Sequence, residues 1–222
     1  MAEKCIIKAT KRSRVHGTNG PRRHQLKEFG TIDNNVPDDV IQAISNIAQT
    51  YEGDDLRGDN YQISQHCNVN EAFTASTSYR QILLQELNGS EDGILDEIDE
   101  TNYSSWRTDI DTKAIAEYLI GTFKQPYRAR ISIMTGGNEL NYHIDTDTSV
   151  LCRAQIPVST QGSLFQWKTK TGEVDLDMII GEAYFVNTGW LHRVVNASNN
   201  TRIVLIFGVD YNNIPDKENL LL

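Results

Sequence analysis

The chain has 222 residues, enough to bury a sizeable core as one domain, and its 21 Lys and Arg against 30 Asp and Glu leave a net charge of -9. That balance argues against general binding to nucleic acid or to an anionic membrane surface, both of which carry negative charge. No stretch reaches the eighteen or so apolar residues of a membrane span, and Cys5, Cys67 and Cys152 lack the spacing of a thiolate zinc site or a disulfide framework, so reduced thiols in a soluble, cytoplasmic protein are expected.

The first 27 residues are a cationic arm: Lys4, Lys8, Lys11, Arg12, Arg14, Arg22, Arg23 and Lys27 stand against Glu3 alone, the pattern of a solvated charge run. Within it a strand is expected over 5–10, followed by a break at Gly17, Gly20 and Pro21. Residues 37–51 place Val40, Ile41, Ile44, Ile47 and Ala48 at helical spacing, with Pro37 at the start and Gly53 just beyond, which predicts a covering helix. Alternation over 61–67 predicts a strand in which His66 is structural. Helices are expected again over 79–87 and 110–123, the second lining up Ile110, Ala114, Tyr118 and Leu119. Between them Glu86, Glu91, Asp92, Asp96, Glu97, Asp99 and Glu100 form an acidic run free of Lys and Arg, a partner within the chain for the cationic arm.

From residue 127 the texture changes to short β-rich runs, RARISIMT, HIDTD, CRAQIPVS, SLFQWKT, EAYFVN and TRIVLIFGVDY, separated by turns. Regularly spaced short strands of this kind predict a mainly β fold with flanking α: a double-stranded β-helix, the jelly-roll or cupin-like core, under N-terminal covering helices. The expected layout is a single domain over 1–222, with support from 1–126, a jelly-roll catalytic core at 127–211 and a partly ordered extension at 212–222.

Inside that core His143, Asp145, His192 and Arg202 form H-x-D, a gap of 46 residues, then H-x9-R. Two imidazoles and one carboxylate can occupy one face of an Fe(II) ion and leave three positions for a bidentate co-substrate and dioxygen. In a strand, residues i and i+2 point the same way, so His143 and Asp145 are expected to reach one metal together. Asp147 shares that parity and is the alternative carboxylate. His192 is the only histidine after His143, and Arg202 offers a planar fork suited to a carboxylate. An isolated H-x-D occurs often by chance; its weight comes from agreement with the distant histidine, the arginine and the strand pattern. In CRAQIP, Arg153 and Gln155 share a face, and several buried guanidinia imply anionic ligands. Trp167, Trp190, Arg193 and Arg130 flank the cavity strands; Arg130 is a candidate for a substrate carboxylate, and the tryptophans read first as packing.

Ser132, His143, Arg153, His192 and Arg202, with GEAYFVNTGWLHRVVNASNNTRIVLIFGV, resemble the aspartyl/asparaginyl β-hydroxylase family of 2-oxoglutarate-dependent oxygenases over residues 127–211. The resemblance implies Fe(II) held by His143, Asp145 and His192, the distal carboxylate of 2-oxoglutarate held by Arg202 and Ser132, and the carboxylate beside its keto group held by Arg153. Gln155 stands where many members carry a second histidine. CRAQIPVST is also similar to a segment of the free-proline cis-hydroxylase branch, and the H-x-D form points to bacterial relatives. The reaction so implied is hydroxylation of a C-H bond in an amino acid or in an Asp, Asn or Pro residue of a polypeptide. A carboxylate in the triad fills the position that halogenating relatives leave for chloride. Two rival readings are a non-catalytic jelly-roll interaction module that retains a metal and a zinc hydrolase. The full triad and Arg202 count against the first, and zinc hydrolysis has no need of the arginine.

Overall fold

A computed structural model of the chain describes residues 20–51, 79–87, 100–145 and 147–222. The apolar spacing after Pro37 forms helix α1 (Asp38–Thr50), with Asp38 and Asp39 in its first turn complementing the helix dipole, and it buries Val40, Ile44, Ile47 and Ala48. Helix α2 (Lys113–Phe123) starts three residues later than expected. Its buried face is accordingly Ile115, Leu119 and Phe123, while Tyr118 is only half-buried and donates through its hydroxyl to Asp33 Oδ2 at 2.8 Å.

The strands are β1 (Phe29–Asp33), β2 (Tyr79–Leu83), β3 (Gln85–Leu87), β4 (Tyr103–Trp106), β5 (Tyr127–Met134), β6 (Asn138–His143) and β7 (Cys152–Ser159), then β8 (Ser163–Lys168), β9 (Glu173–Leu176), β10 (Ala183–Val186), β11 (His192–Asn196) and β12 (Arg202–Val209). Six make one antiparallel sheet in the order β1-β10-β7-β12-β5-β2, four make a second in the order β6-β11-β8-β9, and β3 pairs with β4. This is the expected jelly-roll core. The connection from β5 to β6, which passes from one sheet to the other, turns at Gly137, whose φ of +74° a side chain would resist.

Parity sorts the six-stranded sheet into two chemistries. One face carries Ile82, Ala129, Ile131, Ile156, Phe185, Leu205 and Phe207, which pack under the two helices as the main core. The other face meets the four-stranded sheet through Met134, Tyr184 and Val186 against Phe165, Trp167, Leu176 and Val194. On this inner face also lie Arg130, Ser132, Arg153, Gln155 and Arg202, all buried. The barrel therefore has an apolar layer at one end of its interior and a charged one beside it.

Several expectations are corrected. Residues 79–87 are two strands rather than a helix: Ile82 pairs with Ile131 of β5, and Gln81 and Ile82 are buried on opposite faces, which a one-sided helix could not achieve. The tail, expected to be a partly ordered extension, is ordered against the body of the fold. Leu222 N-H donates to Gln25 O at 3.1 Å, Lys27 N-H donates to Leu220 O at 2.9 Å, and Ile214 and Leu220 are buried. Strands β1 and β2, from the expected support region, belong to the same sheet as the core strands. The strands expected at 5–10 and 61–67, and most of the cationic arm and acidic run, lie outside the described residues. Among the described residues no helix is long and apolar enough to cross a membrane.

Candidate metal centre and carboxylate pocket

His143 ends β6 and His192 begins β11, and antiparallel pairing sets them directly opposite each other. Their rings lie 4.3 Å apart, and His192 stacks on Phe165 with ring centroids 5.1 Å apart. His143 Nδ1 is 2.7 Å from Asn141 O and His192 Nδ1 is 2.9 Å from Trp190 O. A carbonyl only accepts, so each Nδ1 carries the proton and each Nε2 keeps its lone pair for a metal. Burial pulls His192 down to about 4, and the ring is neutral at physiological pH.

Asp145 reaches the pair by a route other than strand parity, because β6 ends at His143. Its backbone N-H donates to Thr188 O at 2.9 Å, tying the turn after β6 to the loop before β11. The carboxylate oxygens stand 3.8 Å from His143 Nε2 and 3.9 Å from His192 Nε2, and the three residues offer one ligand atom each within 4.8 Å of one another. Burial works against ionisation of Asp145, but His143, His192 and Arg153 outweigh it and hold the carboxyl below its ordinary range. Two imidazole nitrogens and a carboxylate, unbonded to one another and facing a common centre, fit an octahedral Fe(II) ion with open positions. Asp147 is not part of this cluster; its Oδ1 accepts the Ser149 N-H at 2.9 Å in a local turn.

Arg202 lies deeper, 4% exposed, where its Nη2 donates to Gln155 Oε1 at 3.2 Å. Among the described residues no carboxylate pairs with it, and burial lowers its pKa to about 10. A buried guanidinium met only by an amide oxygen is costly unless an anion arrives, so this end of the pocket fits the distal carboxylate of 2-oxoglutarate. Ser132 is buried nearby in register, opposite Val204 of β12, and donates to the Tyr79 hydroxyl at 3.2 Å. Gln155 thus serves Arg202 directly, at the place where a histidine was the familiar residue.

Arg153 is differently occupied. Its Nη2 donates to Glu100 Oε1 at 2.9 Å and its Nη1 lies 2.8 Å from Glu100 Oε2, while Arg128 Nη1 reaches Glu100 Oε1 at 2.8 Å. Burial raises the Glu100 carboxyl, yet Arg153 and Arg128 outweigh it and hold the group well below the usual carboxylate range. Arg130 is close by with no carboxylate of its own among the described residues; burial, then the charges of Arg153 and Arg128, bring it down to about 9. Of the acidic run, Glu100 pairs with barrel arginines, while most of the run and of the cationic arm lie outside the described residues.

Trp167 is fully buried and donates through Nε1 to Asn187 O at 2.9 Å, Trp190 donates to Arg23 O at 3.1 Å, and Arg193 donates to Gln166 Oε1 at 2.6 Å. All three serve packing of the loop before His192 or the neighbouring strands. Sequence reasoning missed Tyr79 and Glu100. Tyr79 was hidden by the helical reading of its segment; a strand reading would have set it, with Gln81, on the face of Ser132. Glu100 gave no local signal, since it is one acid among seven in its run.

Solved structures resemble the fold at low identity. They include a 2OG-Fe(II) oxygenase family oxidoreductase from Burkholderia pseudomallei, 13% identical with TM-score 0.42 over 63% of this chain and 69% of that one. A Pseudomonas putida prolyl-4-hydroxylase is 11% identical with TM-score 0.49 over 82% of this chain and 92% of its own. AviO1 from Streptomyces viridochromogenes Tue57 is 13% identical with TM-score 0.47 over 87% and 94%. No curated protein sequence matches the chain. The sequence profile described as aspartyl/asparaginyl beta-hydroxylase, in contrast, matches residues 100–211, just over half of the chain and every residue of the metal centre and the arginine pocket except Tyr79. With that match and the His143, Asp145 and His192 cluster, the chain belongs to the aspartyl/asparaginyl β-hydroxylase family and is an oxygenase enzyme that works with Fe(II) and 2-oxoglutarate.

Proposed function

We propose that the protein is a dioxygenase that hydroxylates an unactivated C-H bond of a free amino acid, or of an Asp, Asn or Pro residue in a polypeptide, and that the whole of 1–222 acts as a single oxygenase domain in a reducing cytoplasm. The observation that carries this reading is Arg202, a buried guanidinium whose described partner is the Gln155 amide, on the same barrel interior as the His143, Asp145 and His192 cluster. When bound, Fe(II) and 2-oxoglutarate supply the oxidising chemistry: the co-substrate loses carbon dioxide to become succinate with one atom of dioxygen, and the other atom enters the substrate C-H bond.

The chain's own residues bind and orient. His143, Asp145 and His192 would hold the metal, with both imidazoles locked by carbonyl contacts from Asn141 and Trp190. Arg202 and Ser132 take the distal carboxylate of 2-oxoglutarate, and Gln155 fixes the plane of the Arg202 fork. Phe165 and Trp167, both buried, wall the centre on the side of the four-stranded sheet and exclude water there. Arg130 is the group we assign to a substrate carboxylate, because it is buried without a carboxylate partner among the described residues.

The test has two stages. Metal-loaded protein is titrated with 2-oxoglutarate under anaerobic conditions, and absence of binding sinks the proposal. Succinate formation is then followed with free amino acids and with Asp-, Asn- or Pro-containing peptides. Turnover coupled to one panel and not the other assigns the substrate class.

A further inference from the structure

Four guanidinia reach into or border this barrel interior, Arg128, Arg130, Arg153 and Arg202, and among the described residues one carboxylate, Glu100, is set among them. Arg202 is left for a ligand. Arg153, which the family resemblance would also give to 2-oxoglutarate, is not: its Nη2 donates to Glu100 Oε1 at 2.9 Å, and its Nη1 lies 2.8 Å from Glu100 Oε2 as an ion pair without hydrogen-bond geometry. The pair is buried, with side chains 5% and 16% exposed, and Arg128 adds a third nitrogen at 2.8 Å. An arriving carboxylate would have to displace an ion pair already largely out of water, and such a pair is strongly resistant to losing one partner.

Position gives this pair its meaning. Arg153 lies on β7 two residues from Gln155, which serves Arg202, and its charge is felt at Asp145 and His192. A free Arg153 beside Arg130 would make a strong trap for any small carboxylate, including the succinate the reaction releases. We propose that Glu100 is a specificity-determining residue: an internal carboxylate that occupies the Arg153 guanidinium and shuts small carboxylates out of the pocket beside the metal triad. Glu100 leaves the local field positive, since one carboxylate faces three guanidinia, and the Nε atoms of Arg128, Arg130 and Arg153, with Arg153 Nη1 and Glu100 Oε2, are buried without hydrogen-bond partners among the described residues. Charge is preserved for steering while direct contact at Arg153 is closed.

This inference rests on the proposed function for the identity of the pocket, and its test separates the two. Full-length protein loaded with Mn(II) is titrated by calorimetry with acetate, succinate and 2-oxoglutarate, as wild type, Glu100→Gln and the double variant Glu100→Gln with Arg153→Gln. Glu100→Gln is expected to bind acetate and succinate on the order of tenfold tighter or more than wild type, because the fork of Arg153 is released. The double variant is expected to return to within about threefold of wild type, a reversal that a general loss of packing would not produce. Equal acetate affinity in wild type and Glu100→Gln overturns the proposal. So does a loss of 2-oxoglutarate affinity in Arg153→Gln as large as in Arg202→Gln, since Arg153 would then be a co-substrate clamp that Glu100 vacates. Should Glu100→Gln fail to fold, Glu100→Asp keeps the charge but shortens the reach; a gain in acetate affinity over wild type supports the proposal and none overturns it. Failure of 2-oxoglutarate to bind the wild type would sink the proposed function instead, while the acetate comparison still reports on Glu100.

Discussion

Glu100 and Arg153 show how far a single residue's role depends on what the fold sets beside it. Arg153 is legible in the sequence as a buried-strand arginine, but its partner comes from a 3-10 turn 53 residues earlier, separated from β7 by α2 and three strands. Removing the carboxylate from such a buried pair leaves an uncompensated cation and costs about 3–5 kcal/mol. The pH dependence follows from the direction of the shift. Glu100 has its folded carboxyl below the ordinary 4.5, so its contribution is complete above that value and is lost as pH falls below it. Thermal melts of wild type and Glu100→Gln are therefore expected to differ most near neutral pH and to converge as pH drops below about 4.5, the unfolded-state reference. A gap that stays constant to pH 3 would show that the charge is not what Glu100 contributes.

At the scale of elements, the helix at 38–50 was legible and the strands at 79–87 were not, and the difference is physical. Helix α1 is amphipathic: Val40, Ile44, Ile47 and Ala48 fall on one face because solvent covers the other, so its period survives in the sequence. Strand β2 buries Ile82 towards the apolar core and Gln81 towards the polar pocket, so polar residues are not confined to an exposed face and its sequence carries no clean alternation to read. Ile44 is fully buried on the helix face of the main core, away from the arginine pocket. Ile44→Ala is expected to lower stability by about 2–5 kcal/mol in denaturant titrations while 2-oxoglutarate affinity at a permissive temperature is retained. Ending the chain at Asn213 removes buried Ile214 and Leu220 together with the bridge of Leu26 to Leu221, and a fall in melting temperature is expected because the tail closes the core beside β1. An unchanged melting temperature would mean that the tail is a loose appendage after all.

For the whole molecule, the metal centre lies where the two sheets meet: His143 and His192 come from the four-stranded sheet, and Arg202, Gln155 and Ser132 from the six-stranded one. A ligand that joins both sheets should stabilise the entire barrel. Mn(II) with 2-oxoglutarate at about 100 times its Kd is expected to add about 2.7 kcal/mol and raise the melting temperature, and Arg202→Gln should abolish the 2-oxoglutarate part while leaving the metal part. The sequence by itself determined the residue types that gather as the His143, Asp145 and His192 cluster, the strand arginine Arg202 and the jelly-roll class. Those depend on chemistry and on the two-residue period, and both are written locally. Only the tertiary structure decided that Asp145 reaches the two histidines from a turn, that residues 79–87 are strands, that the tail closes the core and that Arg153 is already paired. Each of those depends on what a distant segment brings within a few ångströms, and spacing along the chain does not encode it.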